Sequence, residues 1–182
     1  MARLPYVDPS TAPEHVRNVL ERLPVRLNIF RMMAHAESSF RPLLRLGTAI
    51  LSEQQLDAKL RELAILRVAQ LSPARYEWVQ HVPIAKTMGV TQTQIDAVEA
   101  GNVDAGCFAA DERLVLQFTT AVVRDVRAPD ALFAAVRERF SPREIVELIL
   151  AVGFYMTMAR LMETTGVDLE PDAGTAIIDA LK

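Results

Sequence analysis

Apolar residues recur along this chain at the three- and four-residue spacing of α-helices. One segment shows the spacing through Phe40, Leu43, Leu44, Leu46, Ile50 and Leu51. The pattern predicts helices over residues 13–23, 27–36, 38–52, 111–127, 129–140 and 142–165, two within 56–88, and one reaching residue 100. No stretch alternates apolar and polar residues with the β-branched types that strands favour. We therefore predict one all-α domain of eight or nine helices over residues 1–182, with an irregular arm at 1–12 and a tail at 167–182.

Residues that satisfy free backbone groups predict where the helices begin and end. Capping-box pairs predict two helix starts, at Thr91 with Gln94 and at Ser141 with Glu144. Ser72 before Pro73 predicts that the stretch 56–88 divides there, with Ser72 capping the second helix. Ser38 or Ser39 is expected to cap the helix that follows it, and Gly166 to end the last helix.

Three titratable side chains lie on helix faces that otherwise have the composition of a core. At about 100° per residue, Glu62 shares its face with Ile65 and Ala69. His81 follows Glu77 by four residues, so the two are neighbours on adjacent turns. Burial penalises a charged side chain unless it is paired, which makes inward titratable groups the best candidates for chemistry. We predict that Glu62, Glu77 and His81 are catalytic.

These residues belong to a longer motif in the central helix pair. It consists of Glu62-Leu63-Ala64-Ile65-Leu66, Tyr76-Glu77-Trp78 with His81, then Ala85 and Gly89-Val90. The motif resembles the core of the carboxymuconolactone decarboxylase family, which includes the alkylhydroperoxidase D-like proteins. The resemblance extends more loosely from residues 27–30 to the helix around residues 153–155. It implies an alkylhydroperoxidase D-like helical bundle.

The resemblance implies redox chemistry only where a dithiol is present. In the redox members a Glu lies upstream of a CxxC, whose second Cys is followed four residues later by a His. By position Glu62 and His81 match that Glu and that His, whereas the two cysteine positions fall on Ala74 and Glu77. A thiol–disulfide cycle needs a thiolate and a resolving partner. Peroxidase activity is therefore disfavoured, and Cys107 lies in a distant loop.

What remains resembles the decarboxylase branch, a cofactor-free lyase acting on a carboxylated lactone. In that interpretation His81 returns a proton to carbon, while Glu62 fixes the tautomer of the imidazole. Glu77 is either a second acid–base group or only a partner that orients His81. Two glutamates repel an anion unless one is protonated or a cation is near, and the candidate cations are Arg61, Arg75, Lys86 and Arg160. We predict a small carboxylated lactone or keto acid as substrate, with a neutral molecule left open.

Other interpretations of the same residues remain. His81 bonded to a glutamate is also what a purely structural histidine would show, and Glu62 could form a buried salt bridge with Arg67 instead. A non-catalytic ligand-binding protein with a decayed redox site is therefore the alternative function. Carboxylate and imidazole groups also suit zinc or iron, but only three ligands are evident. No metal and no cofactor is expected.

Two aromatic residues are predicted to contact the substrate. Trp78 shares the face of His81 on a helical wheel, and Tyr155 would reach the site from the last helix. Tyr76 points away from His81 on the same wheel, which favours a place in the core or at an interface.

Composition excludes several classes of partner. The chain is 51% hydrophobic and 24% charged with a net charge of −3, and it has no basic stripe for nucleic acid or anionic membranes. The longest apolar run, residues 148–156, is too short to span a membrane. No secretory signal is visible, and a single Cys excludes an internal disulfide. We expect a cytoplasmic protein that acts on a small molecule.

The segment 142–165 predicts assembly. It is apolar on nearly every side, and a helix of that kind is either central or shared with another chain. Members of the family resembled here are helical oligomers. We therefore expect a homo-oligomer, a trimer or hexamer, with the site near a subunit boundary.

Overall fold

The structure of this chain, a computed structural model, describes residues 1–170. Within that range there is no strand, and nine helices follow one another: α1 (Glu14–Arg22), α2 (Asn28–Met33), α3 (Glu37–Ser52), α4 (Ala58–Leu71), α5 (Arg75–Thr87), α6 (Gln92–Glu99), α7 (Ala110–Asp125), α8 (Asp130–Arg139) and α9 (Pro142–Thr165). The predicted all-α class is confirmed. The part of the predicted tail beyond residue 170 lies outside the described residues.

Helix α4 is the centre of the bundle. Residues 61–69 are all buried, so this part of α4 has no face toward solvent. The helix packs against α5, α6, α7 and α9. Asp57 caps its start, because its side chain accepts from the backbone N–H groups of Lys59 and Leu60. A charged side chain within residues 61–69 must therefore find its partners inside the protein.

The break between α4 and α5 lies where the sequence predicted it, but its caps differ. Helix α4 ends at Leu71, and the N–H of Ser72 still donates to the carbonyl of Val68 at 2.9 Å. Helix α5 begins at Arg75 after Ala74, and no side chain caps it. The prediction that Ser72 caps α5 is wrong, because this residue closes the last turn of α4.

Of the other predicted helix caps, three are found in the structure and one is not. Both capping boxes are complete, Thr91 with Gln94 at α6 and Ser141 with Glu144 at α9. Gly166 ends α9 in the left-handed region at a φ of 63°, as predicted. Helix α3 begins at Glu37 after Ala36 and has no side-chain cap, so the predicted role of Ser38 or Ser39 is wrong. Both serines already lie inside the first turn.

The first twelve residues contain no helix, and they lie against the end of α9 and the residues that follow it. The N–H of Arg3 donates to the carbonyl of Thr165 at 2.7 Å. The hydroxyl of Tyr6 donates to Asp168 at 3.1 Å, and the terminal amine of Met1 lies 3.0 Å from the same carboxylate. These bonds hold the segment after α9 next to the start of the chain.

Helix α9 has one buried apolar face and one exposed apolar face. The buried face packs on α3, α4, α5, α7 and α8. On the opposite side Val146, Ile149 and Leu150 are 55%, 40% and 48% exposed. Helix α9 is therefore only half central, and the helix that is enclosed by the bundle is α4.

The length and composition of α9 alone would allow it to cross a membrane. An 18-residue window of the helix has a mean hydropathy of 1.7, and 44% of that window is buried in the described part of the chain. A helix in the core of a bundle passes the same test, so this finding does not distinguish the two.

The expected homo-oligomer can be tested on the exposed row of α9. If that row is an interface, Leu150→Lys should convert the oligomer into a 20.2 kDa monomer, because a lysine resists burial without a partner. Leu4→Lys is the matched control, since Leu4 is 49% exposed and Leu150 is 48% exposed. Sedimentation velocity measures both variants. A wild-type chain that sediments as a monomer would contradict the expectation of an oligomer.

Candidate active site

The carboxylate of Glu62 on α4 joins the imidazole of His81 on α5. Oε2 of Glu62 lies 2.9 Å from Nδ1 of His81, and Oε1 lies 3.4 Å from Nε of Arg61. The side chain of Glu62 has no exposed surface, and those of His81 and Arg61 are almost as deeply buried. Since a carboxylate only accepts hydrogen bonds, Nδ1 of His81 carries the donated proton. Nε2 is then the ring nitrogen left for another group.

An aromatic ring from α9 packs on the imidazole. The rings of His81 and Tyr155 meet edge to face with centroids 4.7 Å apart, and Phe154 packs on Tyr155 in the same manner. Burial raises the pKa of the Tyr155 phenol well above its usual value, and the nearby carboxylate of Glu62 raises it further. Tyr155 is therefore a neutral phenol that restricts the ring of His81. The structure places it where the sequence analysis expected it.

Glu77 is buried without a partner. It lies one turn before His81 and is 2% exposed, yet neither carboxyl oxygen has a hydrogen-bond partner among the described residues. Burial raises the pKa of this carboxyl well above its usual value, with Glu163 and Glu62 adding to the effect through their charges. The protonated acid is the favoured form. The interpretation of Glu77 as a hydrogen-bonded helper of His81 is wrong, because Glu62 occupies that role.

A cavity of about 180 Å³ opens beside these groups. One end is lined by the polar residues Tyr76, Glu77, Gln80, His81 and Tyr155. The remaining walls come from the segment between α1 and α2 and from α2, α3 and α9, and they are almost wholly apolar. A single water needs roughly 10–15 Å³ by the same kind of measure, so the cavity has room for a small organic molecule.

The absence of a side chain at Gly47 shapes the cavity wall. A Cβ placed on Gly47 would lie 3.0 Å from Cζ of Phe154, which is closer than neighbouring carbons normally approach. Both residues line the cavity. Gly47 therefore lets the ring of Phe154 approach α3 and close this side.

The helical wheel misplaced two residues of α5, and the sequence analysis left out a third. Tyr76 lines the cavity although the wheel pointed it away, and Gln80 lines it although the sequence analysis did not name it. Trp78 does not line the cavity but packs against small residues of α4 and α9, such as Ala69 and Ala159. The structure therefore gives Trp78 no contact with a molecule bound there.

The sequence of α5 contains a pattern that identifies the face lining the cavity. Residues 76, 77, 80, 81 and 84 fall within about 140° of one another on a helix. All five line the cavity. Trp78 lies outside that arc, which accounts for its different surroundings. The face would have been found by centring the wheel on the whole group instead of on His81.

The four candidate cations lie in different surroundings, and none of them faces the cavity. Arg61 lies against Glu62, whereas Arg75, Lys86 and Arg160 are exposed. None of the four is among the residues that line the cavity in the described part of the chain. Arg67 donates to Thr120 and Gln70, so the alternative salt bridge between Glu62 and Arg67 is wrong. No group of three His, Cys, Asp or Glu residues within 1–170 is arranged to hold a metal.

Cys107 lies apart from the site. It is in the loop between α6 and α7, where its Sγ lies 3.9 Å from the carbonyl of Thr93. It packs at the edge of the cluster formed by α4, α5, α6 and α7, and it does not line the cavity. The positions that would hold a dithiol are Ala74 and Glu77, as the sequence indicated.

Residues 38–121 match the model of the carboxymuconolactone decarboxylase family. The match runs from α3 into α7 and includes Glu62, Glu77 and His81. This central segment, rather less than half of the chain, is similar to that family.

Several individual proteins are similar to this chain in sequence or in fold. The chain is 26% identical over 102 residues to the uncharacterized protein YdfG of Bacillus subtilis strain 168, covering 55% of this chain and 69% of that protein. A peroxidase-related protein of Ralstonia eutropha JMP134 with an alkylhydroperoxidase AhpD core superposes with a TM-score of 0.78 at 20% identity, covering 97% and 95% of the two chains. The debrominase Bmp8, in complex with 2,3,4-tribromopyrrole, superposes with a TM-score of 0.75 at 16% identity over 100% of both chains. These likenesses confirm the AhpD-like fold.

The raised pKa of Glu77 predicts a specific pH dependence of stability. The folded chain holds this proton to a higher pH than the unfolded chain, whose carboxyl titrates near its ordinary value of 4.5. The folded state therefore binds more protons above that pH, and its stability falls as the pH rises toward the folded pKa. Relative to Glu77→Gln, the wild type should lose at most about 1.4 kcal/mol per pH unit in this window and nothing below it.

Urea unfolding from about pH 4 to about pH 9 measures this difference. Glu99→Gln is the control, because Glu99 is exposed and should give a difference that does not change with pH. A constant difference between wild type and Glu77→Gln across the range would show that Glu77 is ionised in the folded protein.

Proposed function

We propose that this protein is a cofactor-free acid–base catalyst that moves a proton to or from carbon on a small molecule held in the cavity. The observation that carries the proposal is the pairing of two different proton-handling groups on one cavity wall. His81 is held by a carboxylate, and Glu77 is a buried acid without a partner. Pairs of titratable groups whose surroundings push them to opposite protonation states are characteristic of acid–base catalysts.

In this proposal His81 and Glu77 have different roles. Nε2 of His81 takes a proton from a carbon next to a carbonyl, and the electron pair of the broken C–H bond moves onto the carbonyl oxygen. The O–H of Glu77 donates to that oxygen as its negative charge develops. Glu62 keeps the proton on Nδ1 and stabilises the imidazolium that forms. The imidazolium then returns a proton to carbon.

The same arrangement would serve a decarboxylation, the reaction in the family name. There the C–C bond to the carboxylate breaks, carbon dioxide leaves, and the electron pair again moves to the carbonyl oxygen. The imidazolium of His81 supplies the proton that carbon then needs. Such a lyase would differ from a proton-transfer enzyme in the bond that breaks first and in its starting state, because His81 must already carry the second proton that it gives to carbon.

The alternative, a non-catalytic ligand-binding protein, expects the three groups to satisfy one another with no cavity beside them. A cavity is present, and Glu77 has no partner in the described part of the chain. These two observations favour the catalytic proposal. A peroxidase is disfavoured because Ala74 and Glu77 cannot form a disulfide and Cys107 lies away from the cavity.

Hydrogen–deuterium exchange at carbon tests the proposal directly. The wild type should accelerate exchange, or release of carbon dioxide, for at least one of cyclohexanone, 2-heptanone, γ-octalactone and acetoacetate in D₂O. His81→Gln should lower that rate by about 10² or more, because a positioned base contributes on the order of 10²–10⁴. Proton NMR follows the exchange.

Glu77→Gln should also lower the rate, since an amide cannot give up a proton to the developing anion. Cys107→Ala is the control that should leave the rate unchanged. Exchange no faster than in buffer for all four compounds would refute the catalytic proposal. A rate that depends on Cys107 and not on His81 would favour the thiol chemistry excluded above.

A further inference from the structure

From the lining of the cavity we infer that the proposed site takes a neutral, largely apolar molecule with one carbonyl-type oxygen, and not a carboxylate. The inference rests on the proposed function, because it names the substrate class of the same site. It departs from the carboxylated lactone or keto acid that the sequence analysis expected, and of the two reactions described above it favours proton transfer over decarboxylation.

The walls of the cavity select for an apolar body. Apart from the polar residues named above and from Pro24, Gly47 and Thr48, the lining consists of aliphatic, aromatic and methionine side chains. Contact with such walls removes apolar ligand surface from water, which is favourable in proportion to the area. Methionine side chains also adapt to ligands of different outline.

The charges around the cavity disfavour an anion. In the described part of the chain no lysine or arginine lines it, and the buried Arg61 already lies against Glu62, the partner of His81. A carboxylate entering there would lose its water without gaining a cation. It would also stand close to Glu62 and would oppose any ionisation of Glu77, because like charges repel strongly in a low dielectric.

The buried carboxyl group of Glu77 favours a ligand with a hydrogen-bond acceptor. Both oxygens of Glu77 lack a partner among the described residues, and a buried polar group without one is costly. As a protonated acid Glu77 has one O–H to donate. A ligand carbonyl satisfies that donor, whereas an entirely apolar ligand would leave it unsatisfied. The polar end therefore specifies one acceptor oxygen on an otherwise apolar molecule.

Three γ-substituted butyrolactones form a matched set of probes. γ-Octalactone carries a butyl group, γ-carboxy-γ-butyrolactone carries a carboxylate, and the methyl ester of the latter carries a neutral group of similar size. Isothermal titration near neutral pH should give an affinity for γ-octalactone at least about tenfold above that for the carboxylate. The methyl ester should fall between them, which separates the effect of charge from that of the apolar tail.

A cation placed at the cavity should reverse the selection. Thr48 lines the cavity and is only half-buried, so Thr48→Arg should bind the carboxylate more tightly and γ-octalactone more weakly than the wild type does. Thr87→Arg makes the same chemical change at an exposed position of α5 outside the cavity, and it should leave all three affinities unchanged.

The outcomes separate this inference from the proposed function. A wild-type preference for the carboxylate, equal affinities, or no binding of γ-octalactone would overturn the inference, whether or not proton exchange occurs. Selective binding of γ-octalactone without exchange of any compound would refute catalysis and leave the ligand class standing. If Thr48→Arg unfolds, the comparison of the three probes on the wild type still decides.

Discussion

The hydrogen bond between Glu62 and His81 is the constraint on which the site depends. Glu62 lies on a part of α4 that is enclosed on all sides, so its charge has no access to water. Arg61 and His81 compensate that charge, and His81 thereby ties α5 to α4. Removing one member of a buried ionic group typically costs about 3–5 kcal/mol, because the other is left uncompensated. The bond that stabilises the fold is thus the bond that orients the imidazole.

Glu77 shows the opposite solution for the same kind of side chain. The two oxygens of Glu62 each have a partner, whereas those of Glu77 have none among the described residues, and burial raises the pKa of Glu77. In the proposed function this contrast would give the cavity a base, His81 held by Glu62, and an acid, Glu77. By the resemblance described above, Glu77 lies at the position of the second cysteine of a redox member.

The sequence predicted the local features and missed the ones that depend on which helices meet. Capping pairs such as Thr91 with Gln94 are defined within four residues, so they could be located without the fold. Glu62 and His81 could be paired because a buried charge requires a partner. The contribution of α2 and α3 to the apolar cavity walls could not be predicted, because the sequence of an amphipathic helix does not determine which neighbour its apolar face contacts.

The same limit accounts for the centre of the bundle. Helix α9 has the more apolar sequence, which predicts a helix that is either central or shared with another chain, yet α4, with Arg61, Glu62 and Arg67 buried in it, is the enclosed helix. These three charged side chains have hydrogen-bond partners inside the protein, which composition alone does not reveal.

The claim that Glu62 fixes the imidazole of His81 is tested most directly by the tautomer of His81 in ¹⁵N-labelled protein, with His81→Gln used for assignment. The account predicts a proton on Nδ1, with the Nε2 signal shifting when γ-octalactone is added, and a ring protonated on Nε2 alone would contradict it.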